Sequence, residues 1–352
     1  VAVATLVGVP ATATGAGIGV RHVQKEGLTV ESAAGLMLLV AGTALLSYAV
    51  VVFWRATRGW RRLWLVPASV LSLLVMWPVA VAVMLTNAPS TPLGSATPAD
   101  RGLSYSSVGF HTGDGIRLSA WLLPSRNGAT VILLHGAGEN RTATLPQAAV
   151  LARHGFGLLM VDARGHGSSE GSGMDAGWYG DADVTAAVTF LLDRRGVDPD
   201  RIGVLGLSMG GEEAIGAAAA DPRIRAVVAE GATARTAADK ARWLPGGVAG
   251  EVQRGLDWTT FGIAGLLTDA PRPAPLYDAI VRSSGTPFLL ISAGKVADER
   301  RAADVLRAAS PERVQVWTVP GAGHTHGVQA RPHEWETRVV AFLDRALDVR
   351  TS

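Results

Sequence analysis

Two long runs without a charged residue set the first constraint on this chain. Residues 33–54 (AAGLMLLVAGTALLSYAVVVFW) are one, and residues 63–86 (LVPASVLSLLVMWPVAVAVMLT) are the other. A hydrocarbon layer about 30 Å thick is crossed by roughly 20 apolar residues in a helix. In lipid a helix satisfies its own backbone hydrogen bonds. Both runs are long enough, whereas a core helix of a water-soluble domain seldom stays uncharged for so long. Residues 1–20 are uncharged too, but Pro10 and Gly8, Gly15, Gly17 and Gly19 weaken them as a helix. They lack the basic stretch that opens a signal peptide. The expectation is a membrane region over residues 1–86 with two or three transmembrane helices.

Charge follows the same division. Residues 1–92 hold six Lys/Arg and two Glu, whereas the remainder holds 26 basic and 28 acidic groups. The basic surplus therefore belongs to the apolar segment, which suits a bilayer and gives no argument for nucleic acid. Arg55, Arg58, Arg61 and Arg62 lie between the two long runs, beside Trp54, Trp60 and Trp64. A short Arg-rich loop stays cytoplasmic, and tryptophans favour the headgroup layer. The chain beyond residue 86 is then expected on the extracytoplasmic side of the cell membrane. The 352 residues contain no cysteine, which excludes disulfides, thiolate catalysis and Cys-ligated zinc. The eight histidines are scattered without an HExxH pattern, so no metal and no cofactor is expected.

Residues 87–100 (NAPSTPLGSATPAD) read as a linker. Beyond them, residues 104–110 and 116–123 flank a His-Thr-Gly-Asp-Gly turn and predict a hairpin. Short apolar runs follow at 130–134, 157–162, 202–207, 224–229, 287–292 and 314–319, with helical stretches at 182–195, 211–220 and 302–309. Strands alternating with helices imply an α/β domain over residues 101–352, with a largely parallel sheet covered on both faces.

The sharpest chemical signal is Gly206-Leu207-Ser208-Met209-Gly210-Gly211. It lies between a predicted strand and an Ala-rich predicted helix, the context of a nucleophile elbow, in which a serine sits exposed on a strained turn. Its hydroxyl is a weak nucleophile until a base takes its proton. With such an elbow the acid and then the histidine follow the serine along the chain. His324 follows the last apolar run and is favoured over His326, because Gly323 before it suits a tight loop. For the acid, Asp298 is preferred and Glu299 is the alternative; Glu230, after the run at 224–229, is an outside candidate. Backbone N–H groups must stabilise the oxyanion of the tetrahedral intermediate. Met209, following the nucleophile, is one expected donor, and Ala137, in the loop His135-Gly136-Ala137-Gly138-Glu139-Asn140, is the other. His135 then reads as a structural hydrogen-bonding residue.

In combination, HGAGEN (135–140), DARGHGSSEG (162–171), GLSMGG (206–211) and GAGHTHG (321–327) resemble the α/β-hydrolase superfamily. The likeness is greatest to its dienelactone-hydrolase and acyl-peptidase-like branches, and it covers about residues 104–348. The resemblance implies the α/β-hydrolase fold, and a loop at 162–167 that shapes the site without taking part in the chemistry. It also implies a small cap at about 233–284, read either as an apolar lid or as ordinary helix packing. The acid loop departs from the pattern: the family often has Gly-x-x-Asp, whereas Gly294 is followed by Asp298 one residue late. The expected activity is a serine hydrolase cleaving carboxylic esters of lipid or cell-envelope origin. Peptidase, amidase or acyltransferase chemistry with the same residues is the alternative. A non-enzymatic membrane protein with a hydrolase-like shell is disfavoured, because no triad member is missing.

Overall fold

A computed structural model describes the chain except Ser90, Ser172, Met174, Ser284 and residues 350–352. Ser90 of the expected linker, Ser284 at the end of the expected cap and the last three residues of the expected hydrolase domain thus lie outside the described residues. Along the chain, α1 (Ala2–Glu26), α2 (Val30–Ala56) and α3 (Leu65–Thr86) come first. Strands β1 (Ser106–His111), β2 (Arg117–Leu123) and β3 (Thr130–Leu134) follow, then α4 (Leu145–Arg153), β4 (Gly157–Val161), α5 (Gly180–Leu192) and β5 (Ile202–Leu207). Next are α6 (Met209–Ala220), β6 (Ala226–Glu230), α7 (Ala237–Trp243), α8 (Val248–Leu267) and α9 (Leu276–Arg282). The chain closes with β7 (Phe288–Ala293), α10 (Ala297–Ala309), β8 (Val314–Val319), α11 (Gly327–Ala330) and α12 (Pro332–Ala346).

These elements form two compact units. Residues 1–89 with 246–269 make the first, and residues 90–245 with 270–352 the second. In the first unit three helical segments, Ala2–Glu26, Val30–Ala56 and Gly59–Thr86, are long and apolar enough to cross a membrane. The glycines that weaken residues 1–20 as an isolated helix have a packing role. A Cβ at Gly15 would lie 2.3 Å from the Leu39 backbone nitrogen, and one at Gly35 would lie 2.6 Å from that of Gly19. Small residues at these contacts let α1 and α2 approach backbone to backbone, as membrane helices commonly do. The stretch 233–284 divides between the units. Helices α7 and α9 belong with the sheet, while α8 belongs to the first unit and packs against α3.

The second unit is built on one eight-stranded sheet of order β1-β2-β4-β3-β5-β6-β7-β8. The β1–β2 and β2–β4 pairs are antiparallel, and every later pair is parallel. All six apolar runs appear as strands, and the hairpin forms across Thr112–Gly115, where the Gly115 N–H donates to the Thr112 carbonyl at 2.9 Å. Strand side chains alternate between two cores, as the two-residue repeat requires. Ile132 and Leu134 face α5, α6 and α9, whereas Val131 and Leu133 face α4 and α12. Helices on both faces oblige the central strands to be apolar throughout, which is why they read as unbroken runs rather than alternating ones.

Candidate active site

Four loops at the carboxyl ends of β3, β5, β7 and β8 converge, the usual place for a site in a parallel sheet. After β5 the chain turns sharply into α6 through Ser208, whose φ is 53° and ψ −119°. A positive φ is uncommon for a residue with a side chain and marks strain held by its surroundings. Here the Ser208 N–H donates to the Glu230 carbonyl at 2.7 Å. The turn also needs Gly206, where a Cβ would stand 2.0 Å from the Gly210 carbonyl oxygen.

The loop after β8 brings His324 to this serine, with Nε2 2.8 Å from Ser208 Oγ. On the far side of the ring, Nδ1 lies 2.7 Å from Glu299 Oε1. Glu299 is 1 % exposed, and its second oxygen accepts the Ala293 N–H at 2.7 Å. The preferred acid of the sequence reading is corrected by this geometry. Asp298 is half exposed and pairs with Arg301 at 3.1 Å, away from the imidazole. The reason is helical phase. The acid loop winds into α10 from Ala297, and the face that buries Ala302, Ala303 and Leu306 also buries Glu299. One residue earlier, Asp298 points to solvent.

The other candidates take supporting places. His326 is exposed at the N-terminal flank of α11. Glu230 is buried and accepts the Gly327 N–H at 2.7 Å and the Trp335 indole N–H at 3.0 Å, so it anchors the chain just past His324. Burial pushes its carboxyl above the usual range. His135 accepts the Ala163 N–H at Nε2, 3.0 Å, so its proton is on Nδ1, which donates to the Gly136 carbonyl at 2.7 Å. Burial pushes its pKa down to about 3. It is a neutral strut rather than a second base. Among the described residues, the N–H groups of Ala137 and Met209 have no hydrogen-bond acceptor. The loop carrying Ala137 passes close to the serine: a Cβ at Gly136 would be 3.3 Å from Ser208 Cβ. In the loop at 162–167, Asp162 accepts the Arg141 and Ser168 N–H groups, each at 2.8 Å. Arg164 is held between Asp114 and Asp183.

Two supporting residues escaped the sequence reading. Gly231, directly after β6, has φ 77°, and a Cβ there would lie 2.9 Å from His324 Cε1. Glu212 on α6 accepts the N–H groups of Thr233 and Ala234, each at 2.9 Å, and burial pushes it up to about 7. It fixes the chain that follows Gly231. Its signal was present, an acid in the first turn of an otherwise Ala/Gly-rich helix, but its partners lie beyond the next strand.

A strained serine between strand and helix, with a histidine and a buried carboxylate drawn in from the ends of two further parallel strands, defines an α/β hydrolase. Known proteins agree. Residues 125–262 match the family model described as "Serine aminopeptidase, S33". An uncharacterized protein of Mycobacterium tuberculosis is 30 % identical over 249 residues, covering 67 % of this chain and 76 % of that one. "Thiohydrolase aneE" of Aspergillus aculeatus is 38 % identical over 130 residues, covering 36 % of this chain. This chain spans about half the length of several curated relatives, and 41 % of that thiohydrolase. The solved structure of the Pyrococcus furiosus esterase Pf2001 is similar with a TM-score of 0.60 and 28 % identity, over 74 % of this chain and 97 % of that one. The chain belongs to the α/β-hydrolase superfamily.

Proposed function

We propose that this chain is a membrane-anchored serine hydrolase that cleaves carboxylic esters through an acyl-enzyme. The observation that carries the reading is the unbroken line Ser208 Oγ–His324 Nε2, His324 Nδ1–Glu299 at 2.8 and 2.7 Å. Ser208 attacks the ester carbonyl as His324 takes its proton, and Glu299 stabilises the imidazolium that forms. The N–H groups of Ala137 and Met209 donate to the oxyanion, an interaction worth about 3–4 kcal/mol of barrier per donor in comparable sites. The imidazolium returns its proton to the departing alkoxide, and water, deprotonated by the same ring, then releases the acid. His324 is half exposed, so a substrate reaches it from solvent.

Three apolar helices support anchoring in the cell membrane. The Arg-rich loop at 55–62 supports a hydrolase domain on the extracytoplasmic side. That position favours lipid or cell-envelope esters as substrates. Labelling with a fluorophosphonate probe tests the core of the reading: wild type is modified and Ser208→Ala is not. Labelling that survives the substitution would remove Ser208 as nucleophile.

A second reading, amide or thioester cleavage with the same residues, draws on the match to the serine aminopeptidase model and to the thiohydrolase. Parallel assays of matched ester, thioester and amide substrates, with and without an alcohol acceptor, separate these reactions from one another and from acyl transfer.

A further inference from the structure

We propose that the turn between α1 and α2 holds a divalent transition-metal ion, bound by His22, Glu26 and Glu31. The sequence hides this group, because its members have no familiar metal spacing. His22 and Glu26 are four apart on α1 and so share one helix face. Glu31 stands in the first turn of α2, whose start is fixed by the reciprocal Thr29–Ser32 capping box. One ligand atom from each of the three lies within 4.8 Å of the others.

The imidazole supplies a second, independent observation. His22 is 6 % exposed, and its Nε2 lies 3.2 Å from the Asn87 carbonyl oxygen at the end of α3. A carbonyl only accepts, so Nε2 carries a proton, and in the neutral imidazole that a metal ion binds it is Nδ1 that presents the lone pair. That Nδ1 is buried with no hydrogen-bond partner. An imidazole that donates one N–H to a carbonyl and keeps the other nitrogen bare is the arrangement of a metal ligand oriented by its surroundings.

One nitrogen and two carboxylates suit zinc or a neighbouring divalent ion, with water completing the coordination. Bonds of about 2.0–2.1 Å in a tetrahedron put ligand atoms roughly 3.3 Å apart. The closure needed is therefore about 1.5 Å at most, within reach of the exposed Glu31 side chain. All three residues sit where α1 ends and α2 begins, level with the end of α3. The ion would clamp the helical hairpin at that level.

The test is titration of the full-length chain, in detergent and stripped with chelator, with Zn2+ by calorimetry and with Co2+ by visible absorption. The expected result is one saturable site in wild type. His22→Gln, which keeps a donor for the Asn87 carbonyl but loses the imidazole, should bind at least about tenfold more weakly. Zn2+ should raise the melting temperature of wild type and not of the variant. No saturable site in wild type, or equal affinity in His22→Gln, would overturn the proposal. If His22→Gln fails to fold, Glu31→Gln at the exposed position decides: weakened binding supports the site, and unchanged binding sinks it.

Discussion

Glu299 and His324 meet across the ends of β7 and β8, with Glu299 Oε1 2.7 Å from Nδ1 while its Oε2 accepts the Ala293 N–H. Both carboxylate oxygens are thus committed, which makes Glu299→Gln a severe change despite its near-identical shape. The glutamine oxygen will keep the Ala293 N–H, and its amide nitrogen will then face Nδ1. That forces the ring proton onto Nε2, where it blocks acceptance of the serine proton. The expected loss is about ten-thousandfold in kcat. Asp298→Asn, which disturbs only a half-exposed ion pair with Arg301, should leave kcat within about twofold. Steady-state rates on a soluble p-nitrophenyl ester compare the two directly. A large effect at Asp298 and none at Glu299 would contradict the geometry.

The same contact sets the pH dependence. The Glu299 carboxylate favours the imidazolium and raises the pKa of His324 above its ordinary 6.5, against the opposing effect of burial, with smaller contributions from Glu212 and Glu139. In the proposed mechanism His324 must be neutral to accept the serine proton. Activity therefore falls as pH drops through the raised pKa, and the acidic limb of kcat/KM has its midpoint above 6.5. Removing negative charge lowers that pKa, so Glu139→Gln should shift the limb to lower pH, by less than Glu299→Gln does in its residual activity. A limb that moves upward in either variant would show the sign to be wrong.

Gly231 tests how tightly the ring is held. Alanine at this position meets two obstacles: a left-handed φ of 77° and an atom 2.9 Å away in the imidazole. The first costs about 1–2 kcal/mol of stability. The second pushes the ring from the serine, and displacements near 1 Å cost roughly a hundredfold in rate. Gly231→Ala is expected to melt a few degrees lower and to lose about a hundredfold in kcat. A variant that is destabilised but fully active would mean that the ring has room to yield.

What could be read from the chain alone depended on how local each signal was. The strands declared themselves because a doubly covered sheet makes each one a short unbroken apolar run. Ser208 and His324, which the structure brings within 2.8 Å of each other, stand out as candidates because each lies among glycines at the end of such a run. The acid was not, because Asp298 and Glu299 are neighbours in sequence and differ only in helical phase. Counting back from Leu306 through Ala302 and Ala303 in steps of three and four reaches Glu299, a reading that required α10 to begin at Ala297. Gly231 could not be found, since its contact comes from a distant loop. The glycines of α1 were read as weakness because the surface they fit, on α2, is a second segment. Helix α8 falls within the stretch where the family often places a cap, and nothing local to it records that it packs on α3.

Asn140 ties residues 91–92 to the loop proposed to hold the oxyanion, and it offers a way to perturb that loop without touching Ser208, His324 or Glu299. Its Nδ2 donates to the carbonyls of Thr91 and Pro92 at 3.2 and 3.0 Å, while its Oδ1 accepts the Thr142 N–H at 3.0 Å. The side chain is 4 % exposed, so Asn140→Ala strands buried groups, at about 1–3 kcal/mol. Thr91 in turn donates to the Gly138 carbonyl, one residue beyond Ala137. With the linker released, the Ala137 N–H loses its fixed aim. Preorganised donors act on the transition state more than on the bound ester. The expected signature is therefore a fall of roughly tenfold in kcat with KM nearly unchanged, and a lower melting temperature. A rise in KM at constant kcat would instead assign this loop to substrate binding and deny it a part in holding the oxyanion.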